Sequence, residues 1–209
     1  MVTVARPAVF GAVEGLVDEA VLIRLMAHVG ATPSAVYGKR GKAYLRQQLA
    51  GYNKAAHFSP WLVLVDLNAE AECAPVLVET WLPDPAPHMC FRVAVHKIEA
   101  WILADAERLS RFLSVSPALI PTKPDAEPDP KRTLVEVARK SRKHAICQDM
   151  VPRPGSGRAV GPAYSSRLIE FALGEAKGWR PEIAAQRSDS LRRCLEGIGR
   201  LVREGRASP

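Results

Sequence analysis

Trp61-Leu-Val-Leu-Val65 runs into Asp66-Leu67-Asn68, five bulky apolar residues stopped by an acid. A strand with one wet face alternates apolar and polar residues, whereas an unbroken run fits a strand buried on both faces of a parallel sheet covered by helices. Upstream, Pro7-Ala-Val-Phe-Gly-Ala-Val13 is a second short apolar run, ending at Glu14-Gly15. The stretch from Asp18 to Val29 then repeats Leu22, Leu25, Met26 and Val29 at helical spacing. A Gly- and Lys-rich connection, Tyr37 to Lys42, leads into a second predicted helix from Ala43 to Tyr52. Downstream, Cys73 to Trp81 reads as a helix closed by Pro83-Asp-Pro-Ala-Pro87, and Phe91-Arg-Val-Ala-Val95 as a third strand. Strands alternating with helices predict an α/β chain with an open, mainly parallel sheet flanked by helices.

The second half reads differently. From Glu99 a helical pattern continues towards Leu113, and the segment Pro117 to Pro130 holds five prolines, which predicts an irregular loop. A basic helix is expected from Lys131 to Lys143, a Gly- and Pro-broken loop from Val151 to Pro162, and further helices over Tyr164 to Leu173 and Ser188 to Val202. These form a helical C-terminal extension.

The 209 residues suffice to bury a core, and 47% hydrophobic with 24% charged residues is a globular balance. No apolar run approaches the ~18 residues that would span a bilayer. The opening residues lack the flank and cleavage pattern of a signal peptide, so a cytoplasmic protein without a membrane partner is expected. Cys73, Cys90, Cys147 and Cys194 have no paired spacing and are expected to be reduced. A net charge of +7 with a pI near 9.5 makes a polyanion such as nucleic acid an expected partner.

In open parallel sheets, ligands bind beyond the carboxyl ends of the strands, so residues there share a crevice even when distant in sequence. Glu14 follows the first strand, Asp66 and Asn68 the second, and Glu99 lies just beyond the third. Mg²⁺ and Mn²⁺ take hard oxygen ligands and keep several waters, so a few carboxylates from different strands suffice. Asp66 and Asn68, two apart on an extended segment, would present oxygens on one side. Asp18 would add another from the first helix. Each acid also has a plainer reading, as a helix cap or first-turn acid favoured by the helix dipole.

Strand-Glu14-Gly15, strand-Asp66-Leu67-Asn68 and a later strand followed by Glu99 resemble the Toprim domain, the metal-binding fold of topoisomerases, primases and OLD-type and RloB-like nucleases. Within that group, Val13-Glu-Gly-Leu-Val-Asp-Glu19, Val95-His-Lys-Ile-Glu-Ala-Trp-Ile-Leu-Ala-Asp105 and Gly161-Pro-Ala-Tyr164 resemble an uncharacterised bacterial RloB-like family often encoded beside an ABC-type ATPase. The resemblance implies a Toprim-like metal-binding core over residues 5–115, with residues 116–209 as a loop and helical extension packed on it. It also implies that Glu14 is a general acid/base or a metal ligand, that Asp66 and position 68 hold Mg²⁺, and that Glu99 completes the site. Toprim proteins usually carry Asp-x-Asp. Asn68 keeps an oxygen but removes a charge, which weakens the expected hold on metal and favours one ion over two.

The implied activity is Mg²⁺- or Mn²⁺-dependent phosphodiester hydrolysis of DNA or RNA, as an effector in prokaryotic anti-phage defence working with an ATPase, with a homo-oligomer as a further expectation. The metal would activate water and stabilise charge on the phosphate. The alternatives are a non-catalytic Toprim-fold binding subunit, which Asn68 favours, and a primase-type nucleotidyl transferase, for which no nucleotide pocket is legible. Lys97, beside Glu99, is a candidate for stabilising a transition-state phosphate or a plain surface lysine. Lys39, Arg40 and Lys42 on the first Gly-rich connection are candidate phosphate contacts. So are Arg139, Lys140, Arg142 and Lys143, which read equally as a solvated helix end. The five histidines show no ligand spacing, and Arg153-Pro-Gly-Ser-Gly-Arg158 lacks the Gly-Lys-Ser/Thr ending of a P-loop. The four tryptophans are expected as core or interface anchors rather than stacking platforms.

Overall fold

The computed structural model describes residues 6–207. The first strand, β1 (Ala8–Val13), leads through Gly15 into helix α1 (Leu16–His28), which buries Val17, Val21, Leu22, Leu25 and Met26. A second strand follows at once, β2 (Thr32–Gly38), then α2 (Lys42–Ala55), β3 (Trp61–Asp66), α3 (Ala74–Trp81) and β4 (Met89–Ala94). All pairings are parallel, and the strand order is β2-β1-β3-β4. The α/β class, the all-parallel sheet and its helical flanks agree with the sequence reading. The sequence reading placed no strand between the first helix and the Gly- and Lys-rich connection at Tyr37, because Thr32-Pro33-Ser34 offers little apolar surface. An edge strand needs little, and proline is tolerated there.

Two hydrophobic clusters line the two faces of the sheet. Leu45, Leu49 and Leu77 from α2 and α3 cover one face. The other carries α1 and everything after β4: α4 (Ile98–Ala104), α5 (Ala106–Leu113), α6 (Pro130–Arg139), α7 (His144–Met150), α8 (Tyr164–Leu173), the short α9 (Pro181–Ala184) and α10 (Asp189–Ala207). One continuous cluster runs from Val9 to Val202, with α8 against α1 and α10 against β4. The helical C-terminal segment therefore shares the core. Trp101 and Trp179 are fully buried, and the Trp179 indole N–H donates to the Trp101 carbonyl (3.0 Å).

One predicted helix is divided and another is shorter than expected. The pattern from Glu99 to Leu113 breaks at Asp105, which is fully buried, caps α5 by accepting from the Arg108 amide (3.3 Å), and pairs with Arg180 through two oxygens (2.7 and 3.0 Å). That ion pair needs the backbone to turn. The expected basic helix over Lys131–Lys143 ends at Arg139, and α7 begins only at His144. Two single 3₁₀ turns, Pro117–Leu119 and Pro124–Ala126, punctuate the proline-rich loop. All four cysteines are free, Cys90 and Cys194 in the core. Among the described residues no helix is long and apolar enough to cross a membrane.

Candidate functional site

The strand order determines where a crevice forms. From β1 the chain crosses to β2 on one side, then returns over β1 to β3 on the other, so the loops leaving β1 and β3 diverge. Such a switch point opens a cleft at the carboxyl ends of the two strands. Glu14 and Asp66 stand there, one at each end, and Glu14 Oε1 accepts the Asp66 amide (2.8 Å).

The backbone around Glu14 is fixed from β2. Gly38 has φ +88, and a side chain there would come within 2.2 Å of the Val13 carbonyl. Glycine lets the chain pass this close and bend. The Lys39 amide then donates to Val13 and the Gly41 amide to the Glu14 carbonyl (both 2.9 Å).

Two further acids come from first helical turns. Asp18 lies at the start of α1 and Glu99 at the start of α4, both buried. Asp66 Oδ1 accepts the Ile98 amide (2.8 Å), tying the end of β3 to that helix. Asp18, Asp66 and Glu99 line a cleft of about 280 Å³ with Lys131 and Tyr164. Lys131 and Tyr164 are functional candidates that the sequence reading did not single out. Lys131 Nζ lies 3.3 Å from Glu99 Oε1, and the Tyr164 hydroxyl donates to the same oxygen (3.3 Å).

Crowding of acids sets the electrostatics. Burial, then the neighbouring Glu14 and Glu99 charges, push Asp18 up to about 7. Asp66 is raised well above the usual carboxylate range by burial, then by Asp18, Glu99 and Glu14, and Glu14 is raised chiefly by burial. Burial acts to lower Lys131, but the charge and hydrogen bond of Glu99, with the Asp66 and Asp18 charges, together outweigh it and raise the ammonium. Lys42 donates to the Asp66 carbonyl (2.6 Å) and sits 3.9 Å from Glu14 Oε1. Lys42 and Lys131 thus pair with Glu14 and Glu99. Among the described residues, neither Asp18 nor Asp66 has a salt-bridge partner.

These four carboxylates are the residues that could hold a cation. Among the described residues, no three His, Cys, Asp or Glu side chains are drawn tightly enough together to cage one. One oxygen each of Glu14 and Asp66 is taken by a backbone amide, and one of Glu99 by Lys131 and Tyr164. Each carboxylate keeps a second oxygen.

Other sequence candidates fall elsewhere. β3 ends at Asp66, and Asn68 has φ +49, so the extended segment expected to align the two oxygens stops too soon. Asn68 does not line the cleft. Nor does Lys97, whose ammonium is paired with Asp129 (2.9 Å). Lys39 pairs with Glu19 (2.9 Å), and Arg40 lies over the Tyr44 ring. Arg139 pairs with Glu136, while Lys140, Arg142 and Lys143 are exposed at the α6–α7 corner. No family model matches the chain, and comparison with curated proteins and with solved structures gives no match.

Proposed function

We propose that the protein is a Mg²⁺- or Mn²⁺-dependent phosphodiesterase of Toprim type acting on nucleic acid. The observation that carries this reading is the convergence of Asp18, Asp66 and Glu99 in one cleft at the switch point of a parallel sheet, with Glu14 beside it and bonded to the Asp66 amide. The donor chemistry suits a hard divalent cation, being all carboxylate oxygen with two of its members unpaired by lysine, although among the described residues no three of the side chains are drawn together into a closed cage. Glu14, Asp66, Asp18 and Glu99 would hold the ion, which when bound supplies Lewis-acid charge to the phosphate and makes water a better nucleophile.

The remaining chemistry belongs to the chain. Lys131 places a positive charge on the cleft wall, where it would attract a phosphate oxygen and, on moving to it, release Glu99. Tyr164 orients Glu99 through its hydroxyl, and burial keeps that phenol protonated well above its usual range. Lys42 holds the end of β3 by its carbonyl, keeping Asp66 beside Glu14. The role in anti-phage defence, and an ABC-type ATPase as partner, rest on the resemblance carried by Val13–Glu19, Val95–Asp105 and Gly161–Tyr164.

A non-catalytic binding subunit is the second reading. Two observations favour it: Lys42 and Lys131 already pair with Glu14 and Glu99, and Asn68 stays outside the cleft. The two separate in one experiment. Plasmid, single-stranded DNA and tRNA are incubated with Mg²⁺ or Mn²⁺ and wild type, Glu14→Ala or Asp66→Ala, with calorimetry of metal binding alongside. Hydrolysis and metal binding lost in both variants support the enzyme. Neither cleavage nor metal binding in the wild type overturns it.

A further inference from the structure

Between Glu19 and Asp66 the chain has no acidic residue and six Lys or Arg, so this stretch carries +6 of the net +7. Arg24 belongs to α1, where its guanidinium donates to the Trp179 carbonyl (3.2 Å). The other five lie from Lys39 to Lys54, on α2 and the turn before it. The positive charge is therefore concentrated on one helix, at the sheet face opposite α1 and the C-terminal helices.

Aromatic rings are interleaved with these cations. The Arg40 guanidinium lies 4.4 Å from the centroid of Tyr44, and Arg46 lies 5.1 Å from that of Trp81. Lys42, one helical turn from Arg46, is 5.9 Å from the same Trp81 ring and reaches the carbonyl of Asp66. Arg40 and Arg46 are exposed and Tyr44 and Trp81 half-exposed. The N-terminus of α2 adjoins the carboxylate cleft, since the amide of Gly41 donates to the Glu14 carbonyl.

We propose that the outer face of α2, together with Trp81, is a docking track for single-stranded nucleic acid leading to the carboxylate cleft; as a substrate assignment, this rests on the phosphodiesterase reading. A guanidinium fork meets phosphate oxygens, and its plane, like an aromatic ring, stacks on a base. Only an unpaired strand exposes base faces to such a surface. A duplex would use the charge but not the rings. The other basic run, Arg139 to Lys143, offers the exposed Arg142 guanidinium, but Arg139 is held by Glu136, Lys143 reaches the Phe112 carbonyl, and among the described residues no aromatic ring is paired with a cation of this run.

The test is fluorescence anisotropy of labelled oligothymidylate and oligouridylate, against a duplex of equal length, with EDTA present so that binding is read without hydrolysis. The wild type binds the single strands more tightly than the duplex. Arg40→Ala and Arg46→Ala each weaken single-strand binding about tenfold and reduce the slope of log affinity against log salt by about 0.7 per phosphate contact. Trp81→Leu weakens single-strand binding about tenfold while sparing the duplex. Arg139→Ala and Lys143→Ala, with unchanged melting temperatures, leave binding as it was. Single-strand binding unaltered in the Arg40→Ala/Arg46→Ala double variant overturns the track. So does a duplex bound as tightly as the single strand. Cleavage of unstructured oligonucleotides that survives the double variant unchanged overturns the track and leaves the phosphodiesterase standing. Single-strand binding lost in the variants, with no cleavage by any form, leaves the track standing and overturns the phosphodiesterase.

Discussion

Asp18 shows at the scale of one side chain what the cleft asks of the fold. Its carboxyl titrates near 7 in the folded protein against a usual value near 3.8. A group whose acid pKa is raised by folding favours the native state most when protonated. Stability therefore falls as pH rises through the window from about 4 to about 7, and is flat in this contribution above it. The limiting size is on the order of 4 kcal/mol, shared with the neighbouring Asp66 and Glu14, which act in the same direction. Urea unfolding at pH 5 and pH 8 should show wild type losing more stability than Asp18→Asn. Parallel losses in the two proteins would sink the assignment. Mg²⁺ at pH 8 should raise the melting temperature of wild type and not that of Asp66→Ala, because a ligand bound only by the native state stabilises it.

Lys131 and Tyr164 give a second prediction at this scale. Lys131→Met leaves Glu99 without its cation and deletes the cleft's positive wall, so under the proposed phosphodiesterase function cleavage should fall by about 100-fold or more. Tyr164→Phe removes one hydrogen bond, and under the same proposal cleavage should fall by about tenfold. Rates under saturating metal check both. Neither residue was legible as a site residue in the sequence, because each lies on a helix far from the strand ends and reaches Glu99 only through tertiary packing. Glu14, Asp66 and Glu99 were easier to read: the apolar runs mark the strands, and the sheet rule says where their ends point.

At the scale of elements, the joint between α4 and α5 is set by one buried charge. Asp105→Ala leaves Arg180 without its main partner and α5 without a cap, and should cost about 3 kcal/mol by chemical denaturation. An effect under about 1 kcal/mol would mean that the pair is incidental to the break. Nothing in Ala100-Trp-Ile-Leu-Ala-Asp105 announces it, since an acid inside a helical pattern reads as a solvated position. The turn after β2 is similar. Gly38→Ala drives a methyl group against the Val13 carbonyl at a positive φ, costing about 2 kcal/mol or more and loosening Glu14. Unchanged stability and metal affinity in that variant would show the turn to be adaptable. β2 itself was hidden because edge strands need few apolar residues, whereas β3, buried on both faces, is spelled out by Trp61-Leu-Val-Leu-Val65.

At the scale of the whole molecule, the helices after residue 115 and the elements before it share one core. Trp101, Leu109 and Leu113 sit in the same cluster as Leu168, Phe171 and Ile198. A chain ending at residue 115 loses α6 to α10 from that face, leaving α1, α4 and α5 partly uncovered, and should fail to give a cooperative melt; a sharp transition there would mean the sheet folds without its later helices. The cleft, too, draws on both halves: its acids come from residues before 100 and its flanking ammonium and phenol from α6 and α8. On the ribosome the acids and all four strands therefore emerge long before Lys131 and Tyr164. A half-made chain carries the carboxylates without Lys131 and Tyr164, which wall and orient them, so the cleft takes its finished form only once both halves of the fold have been made and packed.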